Sequence, residues 1–135
     1  MQTSHLTGAH LRVARPSSDL AAVARFYCDG LGFVRLADFR DHDGFDGIML
    51  GLPGAAYHLE FTCQPGHPVP EASTEENLLV FYVPEAEAWQ NAIDRLVAHG
   101  YQPVPSYNPY WDLRGRTFVD PDGYRVVLQN ADWPG

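Results

Sequence analysis

Lysine is absent from this sequence of 135 residues, whose nine basic side chains are all arginine. Seventeen acidic side chains outnumber them and give a formal charge of -8 at pH 7. Nucleic-acid binding draws most of its affinity from clustered basic side chains that neutralise phosphates. The arginines are scattered, although Arg114 and Arg116 lie close together, so the charge balance argues against a nucleic-acid partner.

Long apolar runs and a secretion signal are also missing. No apolar stretch approaches the ~20 residues of a membrane span. Residues 1–8 are polar and lack the basic start and apolar core of a signal peptide. The two cysteines, Cys28 and Cys63, are too few for a metal knuckle and are expected to be reduced thiols. We therefore expect a cytoplasmic protein with no membrane partner.

The composition, with 45% apolar and 19% charged residues, is that of one soluble globular domain. Its first half predicts a strand at residues 10–15, a helix at 20–31, and strands at 33–41, 47–52 and 57–63. Its second half predicts a strand at 78–83, a helix at 84–99, and strands at 101–106, 116–119 and 124–129. We therefore expect a duplicated unit, with module one at about 9–64, a linker at 65–76 and module two at about 77–131.

The fourth strand carries chemically active side chains on one face. Alternation directs Tyr57, Leu59 and Phe61 to one side of the strand, which has the composition of a core face. The other side carries His58, Glu60 and Thr62. Burying such groups is costly unless each has a partner, so the partner of Glu60 is the functional question.

Two motifs resemble those of a known family. The first half contains Asp19-Leu20, Phe26-Tyr27 and Leu31-Gly32-Phe33, and the second contains Phe118-Val119-Asp120-Pro121-Asp122-Gly123-Tyr124. Their order and spacing resemble the vicinal oxygen chelate superfamily, which includes glyoxalases, bleomycin resistance proteins and extradiol dioxygenases. The resemblance implies an α+β fold in which two βαβββ modules form a concave mixed-sheet trough. It also implies a homodimer.

In the metalloenzymes of this superfamily, each module supplies two metal ligands, from its first and fourth strands. The matching positions here are His10 and Glu60 in module one, and Leu78 and Val127 in module two. Neither Leu78 nor Val127 can bind a metal, whereas a catalytic metal site usually has three protein ligands. We therefore expect no cofactor. The alternative is a divalent metal (zinc, nickel, iron or manganese) on His10 and Glu60.

Further donors for such a metal are limited. His58 shares a strand face with Glu60, and His42 lies in a nearby loop. Without a metal, Glu60 is expected either to pair with an arginine or to serve as a catalytic acid or base. Arg12 is the first candidate partner, because its strand neighbours that of Glu60 in the superfamily. Arg114 and Arg116 are further candidates.

The remaining binding candidates are aromatic or polar. Asn108, Tyr110 and Trp111 form a polar and aromatic loop next to Arg114, suited either to stacking on a ligand or to covering the core. Phe39 lies where a second wall of the trough is expected. We predict Glu60 as the catalytic candidate, and as ligand-binding residues His10, Arg12, Phe39, His58, Asn108, Tyr110, Trp111, Arg114 and Arg116.

These residues favour a protein that binds a small organic molecule in its trough without a catalytic metal. The alternative is a metal-dependent enzyme of the glyoxalase or dioxygenase type that uses Glu60 and His10. Acid–base catalysis by Glu60 without a metal is a third interpretation.

Overall fold

The computed structural model describes residues 4–133 and contains two β-sheets. The first sheet has four strands in the order β1–β4–β3–β2, with β1 parallel to β4 and the other pairs antiparallel. These strands are β1 (Leu11–Pro16), β2 (Val34–His42), β3 (Phe45–Gly51) and β4 (Tyr57–Cys63). A parallel pair needs a crossover, and a helical segment between β1 and β2 is part of it.

That helical segment begins at an N-cap and ends as a π-helix followed by a glycine. The carboxylate of Asp19 accepts a hydrogen bond from the backbone N–H of Ala22 at 3.0 Å, which satisfies one of the free donors at the start of α1 (Leu20–Ala24). The helix continues as a π-helix over Arg25–Gly30. Gly32 follows with φ of 85°, a conformation that glycine adopts without strain.

The second sheet has three strands in the order β5–β7–β6. Its elements are β5 (Leu78–Tyr82), α2 (Ala86–Ala98), α3 (Tyr110–Leu113), β6 (Gly115–Val119) and β7 (Arg125–Gln129). Strand β5 runs parallel to β7, and β6 runs antiparallel to it. Both halves thus contain a parallel pair joined across a helix, and the predicted α+β class is confirmed.

The prediction of a strand at residues 101–106 is wrong. Only Val104 pairs there, in a single bridge to Thr117. Its neighbours Pro103 and Pro105 have no N–H to donate to a ladder, which explains why the pairing does not extend. The predicted loop that follows contains the short helix α3, whose first turn is held by a hydrogen bond from the N–H of Tyr110 to Asn108.

One hydrophobic core joins the two halves. It combines Phe26, Tyr27 and Phe61 from the first half with Leu96 and Phe118 from the second, all essentially inaccessible to solvent. The larger set of core residues comes from the helices and from one face of each sheet. Among residues 4–133, no helix is long and apolar enough to cross a membrane.

A buried hydrogen bond connects the two sequence motifs. The Tyr27 hydroxyl donates to Oδ2 of Asp120 at 2.6 Å, and Oδ1 of Asp120 accepts the N–H groups of Asp122 and Tyr124 at 2.9 and 3.0 Å. Burial raises the pKa of Asp120, while these three hydrogen bonds lower it. The Asp-Pro-Asp-Gly turn therefore connects β6 to β7 in a hairpin and also anchors the first helical segment.

Candidate functional site

The side of the first sheet that faces away from the core is called its open face. Arg12 lies opposite His58 in the parallel register of β1 and β4, and Met49 lies opposite Glu60 across β3 and β4. Residues paired in this way point to the same side of a sheet. The open face includes Arg12, Ala14, Phe39, Met49, His58, Glu60 and Thr62.

Four polar side chains on or beside this face form one hydrogen-bonded group. The Nε–H of Arg12 donates to Nε2 of His58 at 2.8 Å, and Nη1 donates to Oε2 of Glu60 at 3.3 Å. Nδ1 of His58 lies 2.5 Å from Nε2 of His10, which directly precedes β1. We call His10, Arg12, His58 and Glu60 the Arg12 cluster. The structure thus brings together four of the predicted site residues.

The position of Arg12 determines which atoms of the two imidazoles carry protons. A guanidinium is always protonated and only donates, so Nε2 of His58 is an acceptor. Neutral His58 then carries its proton on Nδ1 and donates it to Nε2 of His10. Neutral His10 in turn carries its proton on Nδ1. Desolvation, followed by the charge of Arg12, lowers the pKa of His58, which favours this neutral form.

The two charged members of the Arg12 cluster differ in exposure. The Glu60 side chain is 14% exposed, whereas that of Arg12 is 46% exposed. The carboxylate therefore lies beneath the guanidinium and holds it by an ion pair. The exposed charge of the cluster is positive, although the chain as a whole is acidic.

The donor atoms do not fit the divalent metal of the superfamily's metalloenzymes. Glu60 and His58 already accept hydrogen bonds from Arg12, a cation that would repel a metal ion at the same place. Leu78 and Val127 offer no donor atom. In the described part of the chain, no group of three or more His, Cys, Asp or Glu side chains is arranged to hold a metal ion.

Phe39 lies on the open face but apart from the Arg12 cluster. Its ring covers Gly47, where an added methyl group would overlap the ring. His42, considered above as a metal donor, lies at the exposed end of β2, with its ring centroid 6.1 Å from that of Phe39. No hydrogen bond within residues 4–133 connects His42 with the Arg12 cluster.

A second group of predicted residues lies over the second sheet. Asn108 and Trp111 line a cavity of about 90 Å³ together with Thr117 and Arg125. The rings of Tyr110 and Trp111 meet edge to face, with centroids 5.0 Å apart. No hydrogen bond or ion pair between described residues joins this group to the Arg12 cluster.

Arg114 and Arg116 belong neither to the Arg12 cluster nor to the group over the second sheet. Arg114 ends α3 with an exposed side chain. Arg116 lies on the opposite face of β6 from Thr117, with its guanidinium 5.4 Å from the ring centroid of Trp89. Neither arginine contacts Glu60, whose ion pair is made by Arg12.

Several features of the open face escaped the sequence analysis. Gly51 lies between His58 and Leu36, since an added methyl group would be 3.1 Å from Cβ of His58 and 3.2 Å from Cδ1 of Leu36. A glycine inside a strand indicates that another group packs closely on the backbone there. Gly47 and Gly51 gave this indication in the sequence. A groove of about 480 Å³, lined by Asp19 and Asp38 together with Phe39 and Gly47, had no signal in the sequence.

Comparison with known proteins identifies relatives over nearly the whole chain. The YycE-like N-terminal domain matches residues 11–62, and the YycE-like C-terminal domain matches residues 76–130. The uncharacterized protein YycE of Bacillus subtilis (strain 168) is 44% identical over 128 residues, which cover 95% of this chain and 92% of YycE.

Solved structures extend the comparison to further proteins. A crystal structure of a YycE protein of unknown function from Bacillus subtilis, a candidate glyoxalase or fosfomycin resistance protein, has a TM-score of 0.86 at 43% identity and covers 100% of this chain and 98% of that one. TnmS3, an antibiotic-binding protein from Streptomyces sp. CB03234, has a TM-score of 0.60 at 26% identity, with 96% and 97% covered. Glyoxalase I of Leishmania major shares the fold alone, with a TM-score of 0.71 at 19% identity and 90% and 86% covered.

Proposed function

The chain belongs to the YycE-like family of the vicinal oxygen chelate superfamily, and we propose that it binds a small organic molecule on the open face of its first sheet without a catalytic metal. The observation that carries this proposal is the pair of hydrogen bonds from Arg12 to Glu60 and His58. These bonds engage Oε2 of Glu60 and Nε2 of His58 and place a cation where a metal would bind, while leaving an exposed polar surface. Glu60 then serves to position Arg12.

A second observation supports binding rather than metal-assisted catalysis. In the second module, the two positions that match metal ligands are the apolar Leu78 and Val127, and Val127 is fully buried. A Lewis-acid mechanism needs a metal with an open coordination position, and this donor set does not provide one. TnmS3, a similar protein by fold and sequence, is described as antibiotic-binding, which supports a binding role for this chain.

A thermal-shift screen of metabolites and antibiotics tests the proposal, since a ligand that binds the folded state raises its apparent stability. Each hit is then titrated calorimetrically against the wild type, Met49→Ala and Trp111→Ala. Affinity lost in Met49→Ala and kept in Trp111→Ala supports binding on the open face. Affinity lost only in Trp111→Ala contradicts the proposal and assigns the ligand to the cavity over the second sheet.

We further propose that the protein forms a homodimer. Leu113 on α3 is 78% exposed, and Tyr110 on the same short helix is also exposed. Apolar and aromatic side chains of this kind are enriched at protein interfaces. Light scattering coupled to gel filtration should give twice the mass of the chain for the wild type and a shift toward the monomer for Leu113→Asp. A monomeric wild type contradicts the dimer.

A further inference from the structure

The exposed atoms of the Arg12 cluster point to a class of ligand. We propose that the open face binds an oxyanion (a carboxylate, phosphonate or phosphate) attached to an apolar body, and that Arg12 is the residue that binds the oxyanion. This inference rests on the proposed function and makes it more specific. It concerns the chemistry of the ligand, so it can fail while binding at the open face stands.

The first argument is the number of free donors on Arg12. A guanidinium has five N–H groups in a planar fork that matches the oxygens of a carboxylate or phosphonate. One N–H is used on His58 and one on Glu60. The other three, one on Nη1 and two on Nη2, have no hydrogen-bond partner within residues 4–133. The side chain is nearly half exposed, so these donors are accessible to a ligand.

The second argument comes from the imidazoles. Both ring nitrogens of His58 are engaged, one with Arg12 and one with His10. The assigned proton positions leave the Nδ1–H of His10 as a donor, and His10 is exposed. Glu60 is largely covered and already accepts from Arg12. The accessible groups at this end of the face are therefore mainly donors, which suits an anion rather than a cation.

The third argument is the apolar surface beside these donors. Met49 lies opposite Glu60 on β3, and the exposed Leu36 on β2 reaches over Gly51, next to His58. Neighbouring strands are about 4.8 Å apart. The apolar surface therefore begins on β3, about 4.8 Å from the strand that carries Glu60, and extends across β2. Phe39 packs on Gly47 in the same way, so apolar side chains cover both glycines of β3. A ligand with its anion at β1 and its apolar body over β3 and β2 matches this layout.

The formal charge of -8 on the whole chain does not remove the preference of the open face for an anion. At physiological ionic strength, charges farther apart than about 8 Å are largely screened. Direct hydrogen bonds to Arg12 therefore decide the sign of the ligand. The distant acidic residues are expected to slow the association of an anion at low salt more than they weaken its contact.

Four probes with the same phenyl group separate charge from shape. Phenylacetate and phenylphosphonate are anions, phenylacetamide is neutral, and phenethylamine is a cation. Each is titrated into ¹⁵N-labelled protein while the backbone amides and the Nε of Arg12 are followed by NMR. We expect both anions to shift signals of β1 and β4, with Kd values at least about tenfold below those of the amide and the amine. The ratio between the two anions tells a carboxylate site from a phosphonate or phosphate site.

Variants then assign the effect to Arg12. Arg12→Gln is expected to raise the Kd of both anions at least about tenfold and to leave that of the amide unchanged. Arg12→Lys keeps the charge but loses the planar fork, and should fall in between. The matched control is Arg40→Gln, because Arg40 is an exposed arginine of the same sheet with no ion pair to a described residue. Amide spectra check that each variant is folded.

The possible results separate the inference from the proposed function. Equal affinity of the amide and the anions at β1 and β4, or anion binding that survives Arg12→Gln, overturns the inference and leaves binding at the open face intact. Shifts confined to residues 104–117 contradict both proposals, whereas no shifts with any of the four probes overturns the inference alone.

Discussion

Nη1 of Arg12 lies 3.3 Å from Oε2 of Glu60, in a contact that crosses from β1 to β4 on their shared face. The parallel register makes this contact, because it aligns Arg12 with His58 and Ala14 with Glu60. Ala14 is small and leaves room for the guanidinium to reach along the face. A positively charged side chain thus stands beside the carboxylate that, by resemblance to the superfamily, would bind a metal.

This ion pair should show measurable coupling. In a double-mutant cycle with Arg12→Ala and Glu60→Ala, we expect a coupling energy of about 0.5–1 kcal/mol, because the pair is partly exposed. The control is the pair of Arg35 and Asp38, which are 3.4 Å apart with both side chains about half exposed, and we expect their coupling to be close to zero. Urea denaturation of the two cycles measures both values. Equal coupling in the two pairs would show that Glu60 does not hold Arg12.

The hydrogen bond between Tyr27 and Asp120 should matter more for stability. Tyr27→Phe leaves Oδ2 of a buried carboxylate without its donor, and the expected cost is about 1–3 kcal/mol of unfolding free energy. Tyr57→Phe is the matched control, because no hydrogen bond of the Tyr57 hydroxyl to a described residue is present. Denaturant midpoints of the two variants compare these losses. A loss in Tyr27→Phe no larger than in the control would contradict the role assigned to this bond.

The buried Asp120 should also make stability depend on pH. Burial raises its pKa above the ordinary value of 3.8. A carboxyl group whose pKa is higher in the folded state stabilises the fold below the unfolded pKa, and this contribution is lost as the pH rises through the folded pKa. The unfolding free energy of the wild type minus that of Asp120→Asn should therefore decrease as the pH rises from about 4 toward neutrality. Urea titrations at several pH values measure the difference, and an increase with pH would contradict the assignment.

Packing of Phe39 on Gly47 gives a fourth prediction. A methyl group at Gly47 overlaps the ring, so Gly47→Ala should lower the unfolding free energy by about 1–3 kcal/mol. Gly8→Ala is the control, because open space surrounds that position. Adding Phe39→Ala should restore part of the loss in Gly47→Ala. Thermal unfolding of the variants tests this, and a Gly47→Ala protein as stable as the wild type would show that the ring does not rest on Gly47.

The sequence was informative wherever a local pattern dictates structure. Alternation along residues 57–62 placed His58 and Glu60 on one face and Tyr57 with Leu59 on the other. Asp19 caps α1 and the Asp-Gly turn closes a hairpin through contacts within four residues, which local patterns can indicate. Such signals involve residues close in the chain, so they survive without knowledge of the tertiary structure.

The sequence did not reveal where prolines interrupt a strand, or which distant residues are brought together when strands pair. The strand predicted at residues 101–106 gave way to two prolines, which remove the donors that a ladder needs. The linkage of His10, His58 and Arg12 depends on the pairing of β1 with β4, which joins residues more than forty positions apart. Arg116 pairs with the ring of Trp89 rather than with Glu60, because its strand directs it to the opposite face.

The metal content of the purified protein tests the central claim most directly. Protein prepared without chelators, then incubated separately with Zn²⁺, Ni²⁺, Fe²⁺ and Mn²⁺ and desalted, is analysed by mass spectrometry for metals, alongside Glu60→Gln. Because Arg12 hydrogen-bonds to Oε2 of Glu60 and to Nε2 of His58, we predict far less than one ion per chain in both proteins. One ion per chain in the wild type, lost in Glu60→Gln, would contradict the account.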